Sequence, residues 1–191
     1  MRLTIVRADL VVRNAACEHA RAIAVIQVEA SRAAYGAAAP PGYFDGLTVP
    51  SRMSPWSEMI ANQGDVEQII VGEENGDIRG YAHFGRSRDP GAPPNVGELC
   101  SLYVAPLRWQ WGLGKRLLAA SLHGLGRMTF DTPTLWVLAV NRRTRAFYER
   151  FGWMPDGCEK SVNLDMTEIR YRISTRRWSG SANARNHLGS P

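Results

Sequence analysis

An amide and a phenol, Asn141 and Tyr148, stand seven residues apart in the segment VNRRTRAFYERFGW. Seven residues is close to two turns of an α-helix, so both side chains share one face. Asn141, directly after an apolar run, is also a natural helix N-cap. A phenol with an ordinary pKa of about 10 can give a proton or a hydrogen bond to a leaving group at neutral pH. Upstream, PLRWQWGLGKRLL sets Gly112, Gly114 and Lys115 at the start of another helix. A glycine-rich turn there leaves backbone N–H groups and the positive end of the helix dipole free to meet an anion. A phosphate-binding turn beside a polar pair points to an enzyme that holds a phosphate-bearing cofactor near a reacting group.

The surrounding pattern supplies the elements that position these groups. Residues 10–13 read as a strand, and residues 16–34 as a helix with Ala20, Ile23, Ala24 and Ala30 at helical spacing. The segment GAAAPPGYFDGL must be loop, with a second helix over 51–63. From residue 67 the period changes to two, and EQIIVGEE and DIRGYAHFGRS flank Asn75-Gly76, a two-residue hairpin signal. After a loop at 89–95 come the strand VGELCSLYVAP, the Gly-loop helix over 112–126, a strand at 134–140, the Asn/Tyr helix at 141–151 and strands at 153–158 and 161–173. This order predicts one α/β domain over residues 1–173, a mixed sheet with helices on both faces. The polar tail 174–191, rich in Gly and Ser, is expected to be disordered. Tyr35, Tyr43, Phe44 and Trp56 cluster around the helix break, either as packing of a helical pair or as a pocket wall. His83 reads as a core or edge histidine, with an acceptor-facing position as the alternative. Phe151 and Trp153 read as core.

The 191 residues suffice for one domain with a real core. No apolar run is long enough to span a membrane, and Arg7, Asp9 and Arg13 interrupt any signal-peptide pattern, so the cytoplasm is expected. Cys17, Cys100 and Cys158 lack CxxC spacing, and the four histidines form no HxxH pair, so neither disulfides nor a metal site are expected. The net charge is +5, and of 23 basic residues only Lys115 and Lys160 are lysines. Arginine is spread along the whole chain, which favours attraction of an anionic cofactor over a nucleic-acid patch.

The segments SLYVAPLRWQWGLGKRLL and LWVLAVNRRTRAFYERFGW, in this order and preceded by a hairpin, resemble the GNAT superfamily of acyl-CoA-dependent N-acyltransferases over roughly residues 10–173. The resemblance implies a mostly antiparallel sheet whose central parallel pair splays, and acetyl-CoA as acyl donor. It assigns the cofactor to Leu102, Tyr103 and Val104 on the strand, to Gln110, Trp111, Gly112, Leu113, Gly114 and Lys115 in the loop, and to Asn141 and Phe147. It implies Tyr148 as the proton donor to the departing thiolate. Glu98 matches the position where several members carry a general base; an edge glutamate without a role is the alternative. The backbone N–H of Val104 would polarise the thioester carbonyl. Trp109 stands where the family has Gln or Arg, so rearranged cofactor contacts are expected, with Arg108 or Gln110 as substitutes. Acceptor specificity in the family falls near Glu29, Arg32 and Tyr35. The implied function is acetyl transfer to a primary amine of a small molecule or peptide by direct attack, in a protein that can form a homodimer. Its rivals are a non-catalytic acyl-CoA-binding module and an Arg-rich binder of nucleic acid or acidic partners through the tail.

Overall fold

The change of period at residue 67 divides a helical first part from a stranded remainder, and the computed structural model, which describes residues 10–36, 38–162, 164 and 166–173, follows that division. In chain order the elements are β1 (Leu10–Asn14), α1 (Ala20–Tyr35), α2 (Val49–Ala61), β2 (Glu67–Glu74), β3 (Asp77–Arg86), β4 (Val96–Val104), α3 (Leu113–Arg127), β5 (Thr132–Leu138), α4 (Arg142–Arg150), β6 (Trp153–Val162) and β7 (Met166–Ile173). The seven strands form one sheet in the order β1-β2-β3-β4-β5-β7-β6, antiparallel except for β4 beside β5. The expected tail, 174–191, lies outside the described residues. No helix among them is long and apolar enough to cross a membrane.

Side chains alternate across the sheet and so feed two cores. On one face Ile69, Val71 and Tyr81 pack with Ile23, Ala24, Trp56 and Ile60 of α1 and α2. On the other, Ile70, Phe84, Leu135, Val137 and Tyr171 pack with Leu113, Leu117 and Leu125 of α3 and Tyr148 of α4. Asn75 and Gly76 both take positive φ (53° and 86°) and close the β2–β3 hairpin in two residues.

Several boundaries differ from the sequence reading, among them the start of the last strand, expected at residue 161 and found at Met166 because β6 continues to Val162. Helix α1 starts at Ala20 instead of residue 16, because Cys17–His19 form a 3₁₀ turn in which the Ala16 N–H donates to His19 Nδ1 (2.8 Å). Helix α2 starts earlier, at Val49, where Thr48 and Ser51 exchange side-chain and backbone hydrogen bonds in a capping box. Strand β5 begins at Thr132, drawn into pairing by Val96 of β4, and ends at Leu138. Strand β6 runs past residue 158 to Val162: an irregularity between Pro155 and Glu159, with Gly157 at φ 88°, absorbs the break in alternation.

Candidate functional site

Strands β4 and β5 pair only at Val96–Thr132, Gly97–Pro133 and Glu98–Thr134, with the Thr134 hydroxyl donating to the Gly97 carbonyl (3.0 Å). Beyond Glu98 the strands separate, and a cavity of about 860 Å³ opens in the gap. The Ala105 N–H donates across to Arg79 on the β3 side (2.8 Å). Backbone groups alternate along a strand, so Val104 and Leu102 present their N–H groups to the open side. The cavity is lined by Leu102, Tyr103, Val104, Gln110, Gly112, Gly114, Lys115, Asn141, Phe147 and Tyr148 from the residues expected at a cofactor site, and also by Tyr35, Cys100, Trp136, Arg143 and Glu168.

The glycine loop has the backbone geometry that suits an anion. Gln110 (φ 72°) and Gly112 (φ 90°) both take left-handed backbone and flank Trp111, a concave arrangement that turns successive N–H groups the same way. The N–H groups from Gln110 to Lys115 donate to no other group among the described residues. Leu113 itself is core, touching the β2–β3 glycines Gly72 and Gly80, so only its backbone is available. The Trp111 side chain is exposed beneath the Arg108 guanidinium (5.3 Å) and does not line the cavity.

Trp109, where an arginine or glutamine was expected, has a different task. Its indole N–H donates to the Val104 carbonyl (2.7 Å), which ties the loop to the end of β4. The Arg143 guanidinium lies 3.9 Å above its ring. Arg108 is engaged by Glu74, so the cation beside Trp109 comes from α4 instead of the loop. Sequence reasoning missed Arg143; its place in the first turn after Asn141 was a signal, but Arg142 beside it made the choice ambiguous.

Asn141 caps α4, its Oδ1 accepting from the Thr144 N–H (3.1 Å). Tyr148, two turns on, is buried with its ring against Phe147 (5.3 Å) and Trp153 (6.0 Å). Its hydroxyl has no hydrogen-bond partner among the described residues. Burial, followed by the nearby Tyr103, pushes this phenol well above its usual range. Tyr35 closes the cavity from the end of α1; burial raises its phenol too, Tyr103 adds to the effect and the Asn141 side chain opposes it. Cys100 lines the cavity as a thiol, pushed up to about 12 chiefly by burial. A thiol held protonated at neutral pH is a poor nucleophile.

Glu98 is fully buried but does not stand alone in an apolar environment. Its carboxylate accepts from the Arg88 N–H (2.8 Å), Nη2 (2.5 Å) and Nε (3.2 Å), and the side chain stops short of the cavity lining. His83 is buried against Trp56 and bonded to Glu67 (2.5 Å), away from the cavity; burial lowers its pKa despite that carboxylate. The aromatic cluster divides. Trp56 is core, edge-on to Tyr81, while Tyr35, Tyr43 and Phe44 form a chain of edge contacts that reaches the cavity at Tyr35. Arg32 lies over Phe44 and donates to the Leu47 carbonyl, and Glu29 is exposed.

Residues 37–153 match the model of the acetyltransferase (GNAT) family. The uncharacterized N-acetyltransferase YuaI of Bacillus subtilis (strain 168) is 30% identical over 132 residues, 68% of this chain and 72% of that protein. The fold is similar to that of the PaiA N-acetyltransferase of Thermoplasma acidophilum solved with coenzyme A (TM-score 0.65, 14% identity, 85% of this chain and 98% of that one). It is also similar to that of YncA from Salmonella typhimurium solved with its cofactor acetyl-CoA (TM-score 0.67, 20% identity, 87% and 94%). With the splayed parallel pair, the cradle before α3 and the capped helix carrying Tyr148, these matches show that the chain belongs to the GNAT family of acetyltransferases.

Proposed function

We propose that the protein moves an acetyl group from acetyl-CoA to a primary amine by direct attack, without an acyl-enzyme. The observation that carries this reading is the cavity between β4 and β5, lined by Tyr148 and by a loop whose N–H groups have no partner among the described residues. The ligands of PaiA and YncA support acetyl-CoA as the donor.

The residues fit that donor. The N–H groups from Gln110 to Lys115 suit a pyrophosphate, and Lys115 and Arg143 add positive charge at the same end of the cavity. The open edge of β4 offers the N–H groups of Leu102 and Val104 to the peptide-like arm, as an added strand would be held. When bound, acetyl-CoA supplies an acetyl thioester whose departing half is a thiolate. Val104 has the backbone donor placed to polarise the carbonyl. Glu98, which stops short of the cavity, accepts the amine proton through a water, and Arg88 fixes its orientation. Tyr148 donates to the sulfur. The burial that raises its phenol keeps the proton on Tyr148 at neutral pH, available to the departing sulfur. Cys100 takes no part, because its thiol stays protonated. A cytoplasmic setting and a homodimer belong to the same reading on the strength of the family alone; size-exclusion chromatography tests the second.

The test is thiol release from acetyl-CoA across a panel of amines, with calorimetric titration of acetyl-CoA alone. Release with an amine class supports transfer and names the acceptor. Tight binding without release favours an acyl-CoA-binding module, and absence of binding refutes the assignment of the loop.

A further inference from the structure

The charges around the cavity are unevenly distributed. Arg108, Lys115, Arg143 and Arg150 line it, whereas Glu168 is the one carboxylate among the described residues that does. Glu168 lies on β7 opposite Leu138 of β5 and Lys160 of β6, and Arg170 lies opposite Trp136. Directly paired residues, and residues two apart, share a face of the sheet. Trp136, Glu168, Arg170 and Lys160 therefore stand together on the face opposite the α3–α4 core, to which Leu135, Val137 and Tyr171 belong. Helices α1 and α2 serve the β2–β3–β4 side of this face.

Here the chain already holds a primary ammonium. Lys160 Nζ lies 3.4 Å from Glu168 Oε2 and 4.0 Å from the centre of the Trp136 ring. A carboxylate combined with an aromatic face is the recognition chemistry for an alkylammonium. The indole is held in place, because its N–H donates to Asp89 Oδ1 (2.8 Å). Arg170 grips Asp89 (2.9 Å) and Asp156 (2.9 Å) in turn, so those two acids are already neutralised. Among the described residues Glu168 has only the exposed Lys160, on a long flexible stem, as its ion-pair partner.

We propose that Glu168 and Trp136 form a subsite for a second positive charge on the acceptor, one that Lys160 occupies in the free protein and the substrate displaces. The acceptor class is a diamine or longer amine with a spaced cation. The proposal rests on the acetyl-transfer reading. Direct attack needs a neutral amine, and a carboxylate stabilises the ammonium form. The group held by Glu168 is therefore a cation that remains charged while another nitrogen reacts.

The test compares diaminobutane with butylamine, and diaminohexane with hexylamine, by thiol release. A partly exposed ion pair with a cation–π contact predicts that the diamines are favoured about tenfold in kcat/KM, and that Glu168→Gln removes about tenfold of that ratio. Lys160→Met, which removes the resident competitor, lowers the KM for the diamines. An independent readout is the Trp136 indole N–H resonance, assigned by its loss in Trp136→Phe. It shifts on titration with diaminobutane in the unaltered protein and stays still in Glu168→Gln. A ratio near one, a ratio unmoved by Glu168→Gln, or an equal fall for monoamine and diamine overturns the subsite. Absence of release with every amine refutes the acetyl-transfer reading instead. In that event a shifting indole resonance upholds the ammonium site and a still one overturns it.

Discussion

Replacing Tyr148 with phenylalanine removes a single oxygen from a side chain whose other contacts all stay in place. The ring keeps its packing against Phe147 and Trp153, and the hydroxyl has no hydrogen-bond partner among the described residues to lose. Folding stability should therefore change by less than about 0.5 kcal/mol, the range of substitutions that break no buried contact. In the proposed reading acetyl-CoA is held by the loop amides and the edge of β4, which the substitution leaves alone. Turnover is the exception: a positioned proton donor contributes about a hundredfold or more, or about 2.7 kcal/mol of barrier at 1.36 kcal/mol per decade. The pH dependence has a definite sign. Burial raises the phenol above its usual range, so Tyr148 carries its proton throughout any practical assay and adds no alkaline limb below pH ~10. The measurements are thiol release, calorimetry with acetyl-CoA and thermal melting on the same two proteins. Turnover within twofold of the unaltered protein would remove Tyr148 from the chemistry. A loss of turnover matched by losses in binding and melting temperature would show that the residue acts through structure.

Gly112→Ala places a side chain in open space but at φ 90°, so its cost, about 1 kcal/mol, is conformational and should appear as weaker acetyl-CoA binding by calorimetry together with a lower melting temperature. Trp109→Phe keeps a ring beneath Arg143 but loses the hydrogen bond to Val104, which should cost about 1 kcal/mol and raise the Kd for acetyl-CoA. His83 has a folded pKa below its ordinary 6.5, so the unfolded chain binds the extra proton first. Its contribution is complete above pH 6.5 and is lost as the pH falls toward the folded value. Melting at pH 7.5 and 5.5 should show a larger acid-induced drop in the unaltered protein than in His83→Gln. Cys100, with its thiol pushed up to about 12, should escape iodoacetamide at pH 8 while exposed Cys17 reacts, as mass spectrometry of peptides would report.

Local signals carried much of the site. The Asn141–Tyr148 spacing and the glycines after Pro106 are properties of single segments, in which helix period and backbone conformation are set by neighbours in the chain. The hairpin at Asn75-Gly76 was legible for the same reason. Trp109 shows where such reasoning stops. As a departure from a family pattern it suggested a lost contact, and only the packing of α4 over the loop showed a tryptophan tied to Val104 and covered by Arg143. Glu98 likewise met Arg88 through the loop that joins β3 to β4, which no spacing announces.

Composition, period and turn chemistry thus determined the element order, the glycine loop before α3 and the helix carrying Asn141 and Tyr148. Tertiary structure decided which groups meet at the proposed acceptor subsite. Trp136, Lys160 and Glu168 come from three strands and meet because β7 inserts between β5 and β6. Sequence patterns record what lies on one face of one element, while cross-strand register and strand order, which bring distant residues together, are settled only when the whole sheet buries its two cores.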